Sequence, residues 1–134
     1  MSLAGGLYTY LKAQTAITDV VGSRIHPLVL PQSPTYPAIT YSIDGLSQRT
    51  TLDGVQQGIV RADIQIDAWA DEGTGGHKQA HDLAVLILAA LKNLKGSMGG
   101  VTVQSLTRDN QDDFYENTVD AYRNSISFTC WHTE

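Results

Sequence analysis

Gly58 to Trp69 read GIVRADIQIDAW, and the fold turns on how these residues alternate. Val60, Ala62, Ile64, Ile66 and Ala68 share one parity, while Arg61, Asp63, Gln65 and Asp67 share the other. A period of two places the apolar set on one face of a strand and the polar set on the other. A helix would scatter the same residues around its circumference. Beyond the glycine-rich DEGTGG at 71–76 lies the longest helical pattern in the chain. It predicts a helix from about Thr74–Gly76 to Leu94 or Lys95, with Ala80, Leu83, Ala84, Ile87, Leu91 and Leu94 as its buried stripe. Leu86, Leu88 and Ala90 widen that stripe into an arc, which implies contact on more than one side, with the first helix or with a neighbouring subunit. A sheet face covered by an amphipathic helix is the resulting core.

Working outward, Leu3, Leu7 and Leu11 recur at helical spacing and predict a short N-terminal helix over 3–14. TAITDVVGSR adds one more helical turn, stopped at Gly22. Ile25 to Leu30 reads as extended, and prolines at 31, 34 and 37 make PQSPTYP an ordered surface connection. Ala38 to Ile43 resumes as a strand. Residues 44–58, with two Asp-Gly pairs, suit a polar hairpin turning at those pairs or, equally, a mobile loop, since unpaired polar strands are only marginally stable. KGSMGG reads as a flexible turn, Val101 to Leu106 as a strand, RDNQDDFYEN as an acidic loop, and Ala121 to Trp131 as a final strand. The expected fold is a single α+β domain over 1–134. It has a mainly antiparallel sheet, one long helix across it and the short N-terminal helix at an end.

Bulk properties narrow the function. The chain has 134 residues, enough for one domain, with 42% apolar and 17% charged residues, which is too apolar for disorder. A net charge of −5 argues against a broad nucleic-acid-gripping surface. One cysteine excludes an intramolecular disulfide, and Cys130, in parity with Ile126 and Phe128, reads as a buried structural thiol. MSLAGGLYTYLKAQ lacks the apolar run of a signal peptide, and the run from Leu83 to Leu91 is too short to span a bilayer. A soluble cytoplasmic protein is expected, with no membrane partner.

The candidate chemistry is thin. His77 and His81 stand four apart at the start of the long helix, a spacing at which two imidazoles can share a metal. The zinc-protease pattern needs a glutamate where Lys78 stands, and neither His26 nor His132 has a spacing that recommends it as a further ligand. Asp109, Asp112, Asp113 and Glu116 crowd one segment, but DNQDDFYE lacks the central glycine of a calcium loop. Asp63 and Asp67 share a strand face roughly 13 Å apart, too far for a glycosidase pair. No nucleophile elbow, phosphate loop or Cys-His arrangement is present. Neither enzymatic activity, a cofactor nor a bound metal is expected. The exposed, polar segments are the interface candidates: the 46–57 hairpin, led by Gln48, Arg49 and Asp53, and the acidic stretch at Asp109, Asp112, Asp113 and Glu116.

Four segments in order carry a resemblance: a leucine-rich first helix followed by "VVGSRIHPLVLPQ", then "PAITYSI", then "VRADIQIDAWA" leading into the long helix, and last "AYRNSISFTCWH". In this the chain resembles the small phage tail-completion, or tail-to-head joining, proteins, which overlap in role with tail terminators. The segments at 46–57 and 109–118 carry none of the likeness. The resemblance implies a non-enzymatic virion component, made in a host or prophage-carrying cell. It would sit at the head-proximal end of the tail as a ring, commonly a hexamer. Its expected partners are copies of itself, the tail-tube protein and the head-completion or connector protein. Six copies at −5 each would bring such a ring to about −30 and let DNA slide through its lumen. The alternative from another class is a small dimeric α+β protein holding an acyl or metal ligand through His77, His81 and the helix groove; a virion adaptor at another position would share all the sequence features used above.

Overall fold

The alternation between Val60 and Ala68 becomes the middle of a long strand. The structure is a computed structural model that describes residues 2–50, 52 and 56–133, with Gln48, Arg49, Thr50, Gln56 and Gln57 followed in their backbone alone. Among the described residues there are three α-helices: α1 (Leu3–Lys12), α2 (Thr15–Val21) and α3 (Gly76–Leu91). The described strands are six: β1 (Ile25–Pro27), β2 (Ala38–Thr50), β3 (Gln56–Ala70), β4 (Gly96–Met98), β5 (Val101–Glu116) and β6 (Ala121–Thr133). They form one sheet in the order β1-β2-β3-β6-β5-β4. All neighbours are antiparallel except β1 and β2, which run parallel, so the sheet is mixed.

The β3 parity holds: Val60, Ala62, Ile64, Ile66, Ala68 and Ala70 are buried. Their β6 row-mates on the same face include Ile126, Phe128 and Cys130, and α3 lays Leu83, Ala84, Ile87 and Leu91 across both strands. Each fully buried Leu or Ile in that layer contributes about 2 kcal/mol from apolar area removed from water. Ser2 caps α1, its hydroxyl accepting the Gly5 N–H at 3.1 Å, and Leu3, Leu7 and Leu11 point into the same core. The wide apolar arc of α3 is met within the chain, since Leu86, Leu88 and Ala90 pack on the core and the Tyr10 hydroxyl donates to the Ala90 carbonyl at 2.9 Å.

Several sequence expectations are corrected. The segment after α1 is a seven-residue helix rather than a single turn, although it does end at Gly22, where φ is +59°. α3 stops at Leu91, short of the expected Leu94 or Lys95. Lys92 turns extended (ψ 126°), Asn93 takes φ +60°, and the Asn93 N–H goes to the Leu106 carbonyl at 2.9 Å. Asn tolerates that left-handed conformation better than most residues. KGSMGG is β4 and a tight turn, where Gly6 and Gly99 let α1 lie against the β4–β5 corner. Asp44-Gly45 does not turn the chain; it is a bulge within β2, between the pairs Ile43↔Ile64 and Gly45↔Asp63. The 44–58 hairpin itself is present, with Thr50 opposite Gln56, while Asp53 and its Asp-Gly step lie outside the described residues. The largest correction concerns RDNQDDFYEN: these residues continue β5 to Glu116 against β6.

Candidate assembly surfaces

Because the acidic segment is a strand, its side chains divide between the two sheet faces. On the helix side, Asp113 accepts a hydrogen bond from Asn124 Nδ2 and stands 3.3 Å from His77 Nε2. Asn124 Oδ1 accepts from Gln111 Nε2 at 2.8 Å, so the Asn124 side chain, itself buried, is held from both ends of its amide. His81, Arg108, Asp109, Asn110, Gln111, Asp113 and Asn124 line an open polar cleft of about 470 Å³. Next to it, the Tyr122 hydroxyl donates to Glu72 Oε1 at 2.6 Å, and that bond, with the carboxylate charge behind it, raises the Tyr122 pKa. His77 thus faces Asp113 and Tyr122, and among the described residues no three His, Cys, Asp or Glu side chains gather as ligands for a metal.

The opposite face is organised by Arg123. Its Nη2 donates to Glu116 Oε1 at 2.7 Å, its Nη1 lies 3.5 Å from Asp67 Oδ2, and its guanidinium carbon sits 4.3 Å from the Phe114 ring centroid and 5.7 Å from that of Trp69. Trp69 Nε1 in turn donates to Thr40 Oγ1 at 2.9 Å, and Gln65 bridges Asp67 and Ser125. Asp63, further along β3, pairs instead with exposed Arg61 at 3.3 Å. The two β3 carboxylates therefore serve separate ion pairs.

Of the residues singled out from sequence, Asp109 accepts from Thr129, Asp112 from Asn110 at 2.8 Å, Asp113 from Asn124, and Glu116 from Arg123. The four are spread along β5 and over both faces rather than gathered at one point. Gln48 and Arg49 lie in the far half of β2, at the other end of the sheet. His132 is buried, and neither ring nitrogen has a hydrogen-bond partner among the described residues.

Sequence reasoning passed over an apolar patch beside Arg123. Leu28, Val29, Leu30, Thr40, Asp67, Trp69 and Val119 line a shallow groove of about 290 Å³, and Leu28 and Val29 are 72% and 73% exposed. The signal was present in PLVLP, an apolar run clamped by prolines, which is out of place in a segment that covers no core. With Phe114 also 42% exposed, the strand face opposite α3 combines ordered charge with solvent-facing apolar surface. Such a composition suits protein–protein contact.

Residues 5–133 match the sequence model of the family described as Tail completion protein gp17. No curated protein matches the chain in sequence. Among solved structures, the chain is similar to one from the virion of a native gene transfer agent particle. The TM-score is 0.80 at 16% identity, over 99% of this chain and 96% of the other. A second solved chain superposes with a TM-score of 0.60 at 13% identity, over 92% of this chain and 88% of its own length. At such identities these two likenesses establish the fold alone.

Proposed function

Since the chain belongs to the Tail completion protein gp17 family, and is thereby a structural component of a phage-type tail, we propose that it caps the head-proximal end of the tail tube and joins that end to the head connector. It does so as a ring of copies, most simply a hexamer, through whose acidic lumen DNA passes during packaging and ejection. The observation that carries this reading is the family match over residues 5–133. The end-to-end likeness to a chain from a gene transfer agent virion supports it.

The protein acts by shape and association, without making or breaking a bond. The partners are further copies of the chain, the tail-tube protein and the connector protein. The interface candidates are the far half of the β2–β3 hairpin, with Gln48, Arg49 and Asp53, and the outer half of β5, with Asp109, Asp112, Asp113 and Glu116. The groove at Leu28, Val29 and Trp69 is a third candidate. Immunogold labelling of assembled particles tests the placement. Label at the head–tail junction supports it, and label confined to the distal tail tip or to the baseplate contradicts it.

A further inference from the structure

β2 and β5, each second from an edge of the sheet, are covered by the short outermost strands over only part of their length. β1 pairs with β2 at Ile39, Thr40 and Tyr41, and the Leu28 N–H takes the Tyr41 carbonyl at 2.8 Å; from Ser42 to Thr50 no described strand other than β3 pairs with β2. At the other edge β4 pairs with β5 from Val101 to Val103, and the Asn93 N–H takes the Leu106 carbonyl; from Thr107 to Glu116 no described strand other than β6 pairs with β5. Open edges of this length are templates for another strand.

The two edges are matched in three respects. Ile43, Ile64, Phe128 and Arg108 lie in one row across the sheet, and from that row the open part of β2 runs toward one end and the open part of β5 toward the other. β2 and β5 are antiparallel within the sheet, so a second copy in the same orientation meets the first with β5 antiparallel to β2, the better-bonded pairing. The charges also select the partner. Thr107 to Glu116 holds four carboxylates against Arg108, net −3, so two β5 edges repel. Ser42 to Thr50 holds Asp44 and Arg49, net zero, and accepts an acidic strand.

We infer that copies of this chain join head to tail by pairing the open β5 edge of one with the open β2 edge of the next, continuing the sheet from subunit to subunit. The inference rests on the ring reading above and says how the ring is held. Contacts between unlike patches generate rings when the rotation closes. Pairing the two open edges staggers neighbouring copies by roughly 20 Å, about six residues along the strand, and a stagger of this kind is what sheet closure requires.

Proline substitution reads out the pairing. The Tyr41 and Leu106 carbonyls point away from the inner strands. Alternation gives Arg108 the same outward orientation and, past the bulge at Asp44, Leu46 as well. Arg108→Pro and Leu46→Pro each remove one outward N–H without touching the inner ladder. Native mass spectrometry is run on wild type and variants, alone at rising concentration and on tail tubes, with amide hydrogen exchange on the same samples. Wild type is expected to form rings in which amides in 43–50 and 107–116 slow roughly a hundredfold or more. Each variant, with a monomer circular dichroism spectrum like wild type, is expected to form none. An equimolar mixture of the two variants is expected to stop at a 1:1 dimer, since each variant keeps the edge that the other lacks.

Wild-type rings whose edge amides exchange as fast as in the monomer overturn edge pairing and leave the ring standing. So do variants that form rings as readily as wild type. Slowing of β5 amides alone, in equimolar complex with tube protein, assigns that edge to the tube and overturns self-pairing. Absence of ring-sized species under every condition overturns both readings. Should one proline variant fail to fold, exchange in wild-type rings still decides.

Discussion

Arg123 Nη2 lies 2.7 Å from Glu116 Oε1, joining neighbouring positions of β6 and β5 on the face opposite α3. The same guanidinium stacks on Phe114 and approaches Asp67, and only 18% of its side chain is exposed. A planar fork fits two carboxylates and a ring at once, and an ammonium does not. Arg123→Ala is expected to lower stability by about 2 kcal/mol, with Arg123→Lys recovering less than half of that. Urea unfolding of the purified variants measures both. A loss within experimental error of zero for Arg123→Ala shows the cluster to be a solvated surface pair.

Gly6 and Gly99 bring α1 against the β4–β5 turn. A Cβ on Gly6 would lie 2.7 Å from the Met98 carbonyl and from Val101 Cγ2, and one on Gly99 would collide with the Gly6 carbonyl from a backbone at φ +57°. Gly99→Ala is expected to cost about 2–3 kcal/mol, combining left-handed strain with overpacking. Gly45→Ala, where a Cβ meets open space, is expected to leave the thermal midpoint nearly unchanged. Thermal melts of both variants separate a required close approach from a merely tolerant bulge.

The two faces of β3 differ sharply in what truncation costs. Ile64 is 1% exposed beneath α3, whereas Asp63 meets exposed Arg61. Ile64→Ala is expected to destabilise by about 2–5 kcal/mol, and Asp63→Ala by less than about 1. Equal losses in chemical denaturation contradict the assigned parity.

That parity was legible because β3 has one dry face and one wet face over much of its length. The same logic explains what was illegible. From Thr107 onward β5 extends past the end of the core, so neither face is continuously apolar, and RDNQDDFYE carries no alternation to separate strand from loop. Its structure comes from pairing with β6, a partner that period counting along one segment does not see. Asp44-Gly45 carries a turn signal that β2 absorbs as a bulge, because β3 continues opposite it. α3 ends early for a similar reason: the Leu106 carbonyl captures the Asn93 N–H, while Leu94 still packs on the core from outside the helix. Of the interface candidates, Glu116 and Asp113 prove to be tied to Arg123 and Asn124. Replacing all four acids together therefore disturbs the sheet as well as any docking surface. Asp112, exposed and bonded among the described residues to neighbouring Asn110, is the cleaner probe.

Cys130 gives the alkaline limb of stability. Burial pushes its thiol from 9.0 up to about 11. The folded chain therefore keeps a proton that the unfolded chain releases. This contribution is complete below pH 9 and disappears as pH rises toward 11, a loss of about 2–3 kcal/mol. Burial likewise raises the Tyr36 and Tyr41 hydroxyls, so the difference between wild type and Cys130→Ala isolates the thiol. Denaturant midpoints at pH 8 and pH 10.5 are expected to fall more steeply for wild type. Parallel slopes show that the thiol is not the group responsible.

Electron microscopy of particles assembled without the protein tests most directly the proposed role of this chain in terminating the tail tube and coupling it to the head. The expected result is heads without tails beside unattached tubes, many of them longer than the normal length, with both defects reversed when the protein is supplied. Tails of normal length firmly joined to filled heads in its absence contradict the account.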